Sequence, residues 1–406
     1  MIRRVLAQLE DPRRPLLGPN IFLLKLTGMY LPGSRRGRAL TALFHLVGLL
    51  FVSSEVVELT RTFSDLFLVM SNLKIMLLSA VCLLKAWRCI VWQASWRRVL
   101  QYVTAADLAE RRDAPPARAA RVAAYTRAAR RVLYGYAALT CFTSIVFVST
   151  PFLERFTTQY QARGPEEKVN VIDSIYIAYL PFDKTTFPGN LIATLWFILV
   201  TIYGNSVMTV FDTMAMVLMV FFGAKLELIR ERCAELLGAP GERPGAPGER
   251  PGAPGGRPGA RALAARFRDL HQAHVDLIEH ATLFNTLTSP VLFLYVVTCS
   301  LMLCTAVYQL TLTSVSGTQK LVTAEFLIFA VAQLFLFCWL SNDVKIKSER
   351  TMEGPYHSGW LRDPRCRREL LLLSGQLARP VEFTAGPFTA LSLANFINVS
   401  CSRLSQ

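Results

Sequence analysis

Residues 321–341 read LVTAEFLIFAVAQLFLFCWLS, and Glu325 is the one charged side chain in the run. A helix needs about 20 mostly apolar residues to cross the hydrocarbon core of a bilayer. This run meets that requirement, and blocks of the same kind recur along the chain. They are Ala39–Val57, Leu66–Leu84, Val132–Leu153, Leu191–Phe222, Ser289–Leu312 and, least clearly, Val381–Cys401. Short basic stretches separate them.

Composition agrees. Hydrophobic residues make up 52% of the 406 residues and charged residues 18%. Mean hydropathy is +0.34. A water-soluble chain of this length, two or three domains' worth, has no core able to bury so much apolar side chain. The net charge of +15 would point to nucleic acid in a soluble protein. Here the basic residues lie between apolar blocks, so the membrane comes first. The first apolar run, Ile21 to Leu26, is interrupted by Lys25 and too short for a signal-peptide core, so insertion is expected to begin at an internal helix.

The fourth block spans 32 residues. One helix of that length reaches about 48 Å at ~1.5 Å per residue, whereas two spans and a turn need more than ~40 residues. A single helix projecting past the bilayer fits better. Charge tests the threading independently. With the N-terminus inside, 36 lysines and arginines fall on the cytoplasmic side, 7 outside, and Lys74 within the second span. That asymmetry follows the positive-inside rule. The fold class expected is therefore all-α: a polytopic membrane protein with seven transmembrane helices, N-terminus cytoplasmic and C-terminus extracellular.

The chain divides accordingly. Residues 1–38 form a cytoplasmic N-terminal segment, and 39–222 carry helices one to four. A cytoplasmic helical region at 223–288 is interrupted at 238–261 by the tandem GAPGERP, GAPGERP, GAPGGRP, whose Pro and Gly exclude a helix. Residues 289–341 hold helices five and six, 342–380 a cytoplasmic segment, and 381–406 the last helix. Ser392, Asn395, Val399 and Ser402 recur there at three-to-four spacing. Such a polar stripe is expected to face water or another helix rather than lipid. Between Arg362 and Arg379, Leu370, Leu371, Leu373 and Leu377 oppose basic positions in a short amphipathic helix, before Pro380 and Gly386–Pro387 break it. Lys74 should face the protein interior, with Glu55 or Glu58 as its ion-pair partner. The nine cysteines are read as packing residues, since no Cys/His spacing indicates a metal. No nucleophile motif, metal triad or phosphate loop is present, so neither an enzyme nor a cofactor is expected. The paired, broken helices of transporters are missing too.

Several motifs resemble one family. Gln333–Asp343 (QLFLFCWLSND), Ser348, Tyr356–Trp360 (YHSGW), the basic Arg365–Arg368, and Arg379–Phe388 (RPVEFTAGPF) with Leu391–Leu393 and Phe396 follow in order the last-helix signature of insect odorant receptors. Tyr179–Asp183 (YLPFD) is similar to the family's Pro-x-Asp element, and Leu24–Gly28 (LKLTG) is a weaker echo. The strong match covers about a fifth of the chain.

The resemblance implies a non-selective cation channel gated by a small volatile ligand. It also implies a heterotetramer with the olfactory coreceptor on sensory-neuron membranes. In that architecture the last helices line the pore, which makes Ser392, Asn395, Val399 and Ser402 pore-lining candidates, and cytoplasmic helices anchor the subunits together. The ligand would sit among the helices in the outer membrane half, in an apolar, aromatic-lined cavity. Candidates there are Met70, Leu73, Phe142, Ile145, Val146, Trp196 and Tyr203, the last able to hydrogen-bond an alcohol, ketone or ester. The chain ends at Gln406, several residues sooner than family members usually do. A truncated, non-conducting form is accordingly one alternative function; a gustatory-type receptor channel is the other.

Overall fold

The computed structural model describes residues 11–61, 66–112, 115–161, 179–182, 188–236, 260–311, 317–358, 367–387 and 389–392. The repeat at 238–258, Asp183, Gly359–Trp360, Arg365, Phe396 and the stripe positions Asn395, Val399 and Ser402 lie outside them.

In chain order the described helices are α1 (Gly18–Leu26), α2 (Arg35–Arg61), α3 (Leu66–Val91), α4 (Gln93–Arg111), α5 (Pro116–Gln161), α6 (Gly189–Ala234), α7 (Ala260–Thr311), α8 (Gly317–Thr351), α9 (Glu353–His357) and α10 (Arg367–Leu377). A two-residue hairpin, β1 (Thr384–Ala385) and β2 (Thr389–Ala390), follows. Helices α2, α5, α6, α7 and α8 contain stretches long and apolar enough to cross a membrane; α3 and α4 together form a sixth, bent by 77°. Trp92 sits at the bend, and Arg88 lies 4.1 Å over its ring.

Helix α6 is the axis of the bundle. It touches α1, α2, α3, α5, α7, α8 and α9, and nearly every side chain from Val207 to Phe222 is buried. Over that stretch the helix is hydrophobic nearly all round and enclosed by its neighbours. It runs unbroken for 46 residues, so the fourth apolar block is a single helix, as its length predicts. The surrounding helices and the opening turns of α6 expose apolar residues outward, among them Leu40, Leu43 and Leu50 of α2 and Leu195 and Ile202 of α6.

Helix α7 departs from the expected boundary at Ser289. It continues through Pro290 for 52 residues. Proline cannot donate to the carbonyl four residues back, here that of Thr286. Arg88 of α3 fills the gap: its Nη2 donates to Thr286 O at 2.7 Å and its Nε to Leu287 O at 3.3 Å. A charged donor from another helix thus satisfies the carbonyl that proline leaves free, and the helix survives.

The last expected span also begins differently. Residues 381–387 and 389–392 are not helical but form an extended hairpin docked on α7 and α8. The Val381 amide donates to Ser348 Oγ at 2.8 Å and the Thr384 amide to Asn285 Oδ1 at 2.9 Å. Gly386, at φ +69°, donates to Ser289 Oγ at 2.9 Å. A Cβ there would meet the Phe293 ring at 2.8 Å, so both conformation and space call for glycine. Lys345 pairs with Glu382 at 2.6 Å. Phe383, 1% exposed, inserts between Phe284 and Phe222 with ring centroids 5.2 and 6.1 Å away. The RPVEFTAGPF signature is thus a docking device: each side chain named here holds the hairpin to the bundle.

In α10 the buried residues are Leu370, Leu373 and Leu377, which pack toward α7, α8 and α9. Leu371 is 75% exposed. The i, i+3, i+7 positions share one face, and residue 371 falls outside that stripe. Among the described residues the cysteines are free thiols. No group of three or more His, Cys, Asp or Glu side chains there is arranged to hold a metal ion.

Candidate ligand-binding cavity

A cavity of about 130 Å³ lies between α2, α3, α5, α6 and α8. Its walls are mainly apolar, with Phe51, Ile75, Phe147, Val200, Phe326 and Phe329 among them; Ser79, Thr140, Thr143, Asn205 and Tyr203 supply polar groups. An apolar void of ~150 Å³ admits a benzene-sized molecule, so this one has room for a single small ring.

Tyr203 is 3% exposed. Its ring packs 4.9 Å from Phe44, and its hydroxyl shares a 3.2 Å hydrogen bond with His45 Nδ1. Space for the ring exists because residue 48 is glycine. A Cβ there would clash with the Tyr203 ring, closest to Cε1 and 2.7 Å from the hydroxyl oxygen. Gly48→Ala should therefore push the ring off its seat. Ligand affinity is expected to fall about ten-fold, the scale of one over-packed contact. In a Tyr203→Ala background the same change should cost nothing further. Equal losses in both backgrounds, read from dose–response midpoints, would show that the contact is irrelevant to the site.

The other residues expected at the site are placed variously. Phe142 and Ile145 are 58% and 64% exposed on the outside of α5; the cavity is faced instead by Thr140, Thr143, Ser144 and Phe147. Val146, Met70 and Leu73 are half-buried. Trp196 packs behind the wall against the small cluster of Phe51, Ala193, Phe197 and Val200. Ser392 is half-buried in the extended stretch after β2.

Lys74 donates to Gln309 of α7, a correction to the ion pair expected with Glu55 or Glu58. It sits on the side of α3 that meets α7, whereas Asn72 donates to the Glu55 backbone carbonyl and Ser79 to its carboxylate. Residues 72 and 79 are two helical turns apart and share a face; residue 74 is rotated away from it.

A polar network lies deeper, beside the cavity-lining Met208. Lys85 Nζ contacts Asp212 Oδ1 at 2.7 Å and Met208 Sδ at 2.9 Å. The other carboxylate oxygen accepts from Tyr136 at 2.8 Å and from Gln333 at 2.7 Å. Lys85 and Asp212 are 1% and 0% exposed. Four helices, α3, α5, α6 and α8, converge on one carboxylate. The sequence carried a signal for part of it, an aspartate inside the fourth apolar block, since an ionisable residue at membrane depth nearly always faces a partner; Lys85 follows directly after the second block.

The family model of the 7tm odorant receptors matches residues 65–401, most of the chain. The chain belongs to that family. Among curated relatives, Odorant receptor 10 of Aedes albopictus is 26% identical over 137 residues, 33% of this chain and 36% of that receptor. Odorant receptor 82a of Drosophila melanogaster is 29% identical over 141 residues, 34% of this chain and 36% of the other. The matching stretch thus spans about a third of the length of these relatives. Among solved structures, the insect olfactory receptor OR5 of Machilis hrabei in complex with eugenol superimposes with a TM-score of 0.78 at 16% identity, over 97% of this chain and 98% of OR5. A second OR5 structure gives 0.77 at 15%, covering 100% and 96%. The chain therefore shares the OR5 fold.

Proposed function

We propose that this odorant receptor is the ligand-binding subunit of an odorant-gated, non-selective cation channel. It would work as a heterotetramer with the olfactory coreceptor in the plasma membrane of olfactory sensory neurons. The observation that carries the reading is the small apolar cavity, ringed by Tyr203 and hydroxyl side chains, enclosed within an odorant-receptor fold. Cavities of this character take apolar ligands oriented by a few polar contacts. Tyr203 is the candidate ligand contact that lines it; Trp196 supports the wall from behind. Met70, Leu73, Phe142, Ile145 and Val146 belong to the helices around it. The stripe Ser392, Asn395, Val399 and Ser402 would line the pore, beyond a hairpin that fixes where the last segment starts. The charge bias supports a cytoplasmic N-terminus and an extracellular C-terminus.

Co-expression with the coreceptor and recording across a panel of small volatile compounds tests this directly. Odorant-evoked cation current is expected with both chains present and not with this chain alone. Silence across the panel despite normal surface delivery would overturn the reading. So would tags on the two termini found on the same side of the membrane.

A further inference from the structure

Several hydroxyl groups of the cavity wall donate their protons to partners within the protein. Thr143 Oγ1 donates to Glu325 Oε1 at 2.7 Å. A carboxylate has no proton to give, so the single hydrogen of Thr143 is committed and its lone pairs remain. Thr140 gives its hydrogen to the Ala137 carbonyl at 3.0 Å and accepts one from Thr209 at 2.8 Å. Ser79 donates to Glu55 Oε1 at 3.4 Å. Glu55 is 1% exposed, and its Oε2 has no partner among the described residues. Three of the wall's hydroxyls thus present acceptors, and Thr143 is backed by a carboxylate that polarises it further. Asn205 carries a donor and an acceptor and adds no preference. The direction of the Tyr203–His45 bond depends on the imidazole tautomer. Of the neighbouring cations, Lys74 is turned to Gln309 behind Phe326 and Lys85 to Asp212 and Met208.

We infer that this cavity selects single-ring ligands that donate a hydrogen bond, through an O–H or N–H, over carbonyl compounds of the same size. The inference rests on the cavity being the ligand site proposed above. A ligand hydroxyl or amine entering here exchanges water for the lone pairs of Thr143, Thr140 and Ser79. A ketone oxygen leaves water and gains nothing from those lone pairs, and its donors on the wall are confined to the Asn205 amide and the Ser144 and Tyr203 hydroxyls.

The matched pair 1-phenylethanol and acetophenone tests it, because the two differ by the oxidation of one carbon. Binding is read from ligand-dependent melting of the full chain, purified in lipid nanodiscs. That readout needs no current, so a silent channel would fail the functional proposal without touching this one. The alcohol should bind about ten-fold more tightly, one hydrogen bond's worth of discrimination. Thr143→Val should shrink the preference and Thr143→Ser should retain it. Thr140→Val and Ser79→Ala provide independent variants should Thr143→Val fail to fold. Acetophenone binding as well as the alcohol, neither compound binding, or an undiminished preference in all the hydroxyl-deletion variants that fold would each overturn the inference.

Discussion

Lys85→Met should destabilise the folded bundle by about 3–5 kcal/mol, the range for removing one partner of a buried ion pair. Methionine preserves most of the side-chain length, so the loss is one of charge rather than shape. Asp212 would keep Tyr136 and Gln333 as neutral donors but would hold an uncompensated negative charge at 0% exposure. Asp212→Leu should cost a similar amount for the opposite reason: it strands an ammonium together with two unpaired neutral donors. The double variant Lys85→Met/Asp212→Leu should lose much less than the two single losses combined, because only the tyrosine and glutamine donors are then orphaned. Melting of the four purified proteins completes the cycle. Additivity to within about 0.5 kcal/mol would mean the two groups are not coupled, contrary to their 2.7 Å contact.

That pair also shows where the sequence stops being readable. Apolar run length identifies spanning helices because bilayer thickness sets it, and the continuity of α6 follows from its length alone. Which side of a helix faces inward is another matter. Along α5 the residues from Phe142 to Phe147 include apolar side chains on every side, so periodicity does not fix the rotation. Phe142 and Ile145 turn outward while Thr143 and Phe147 turn in. Aromatic character is a weak guide in a bundle whose outer surface is lipid, because lipid accepts aromatic side chains as readily as a pocket does. Lys85 and Asp212 stand 127 positions apart, and Arg88 reaches a carbonyl 198 positions away. Local rules predict that Pro290 ends a helix; a distant arginine decides that it does not. By contrast, the C-terminal signature was legible as a motif, and the hairpin gives it a physical meaning. Ser348, distant along the chain, joins the nearby Glu382, Phe383, Thr384 and Gly386 in a single dock.

Within that dock Phe383 should carry the most. Phe383→Ala removes a side chain 1% exposed from between Phe284, at 87° and 5.2 Å, and Phe222. The transfer and cavity contributions for a buried phenylalanine amount to about 3–5 kcal/mol. The loss would not spread evenly. Hydrogen bonds to Asn285, Ser289 and Ser348 hold the hairpin backbone, but they form only while the segment is seated, and Phe383 is its largest fully buried side chain, lodged between α6 and α7. Without the ring, those amides compete with water, and the hairpin should open before the bundle does. Hydrogen exchange separates the two events: amides of Val381, Thr384 and Gly386 should lose protection in Phe383→Ala while those of α6 keep theirs. Phe383→Leu, which refills most of the space, should restore more than half of the stability. Unchanged melting in the alanine variant, or protection lost equally in α6 and the hairpin, would mean that Phe383 is not the seat of the dock. The contacts of Gly386 against Phe293 and Ser289 would then have to hold it instead.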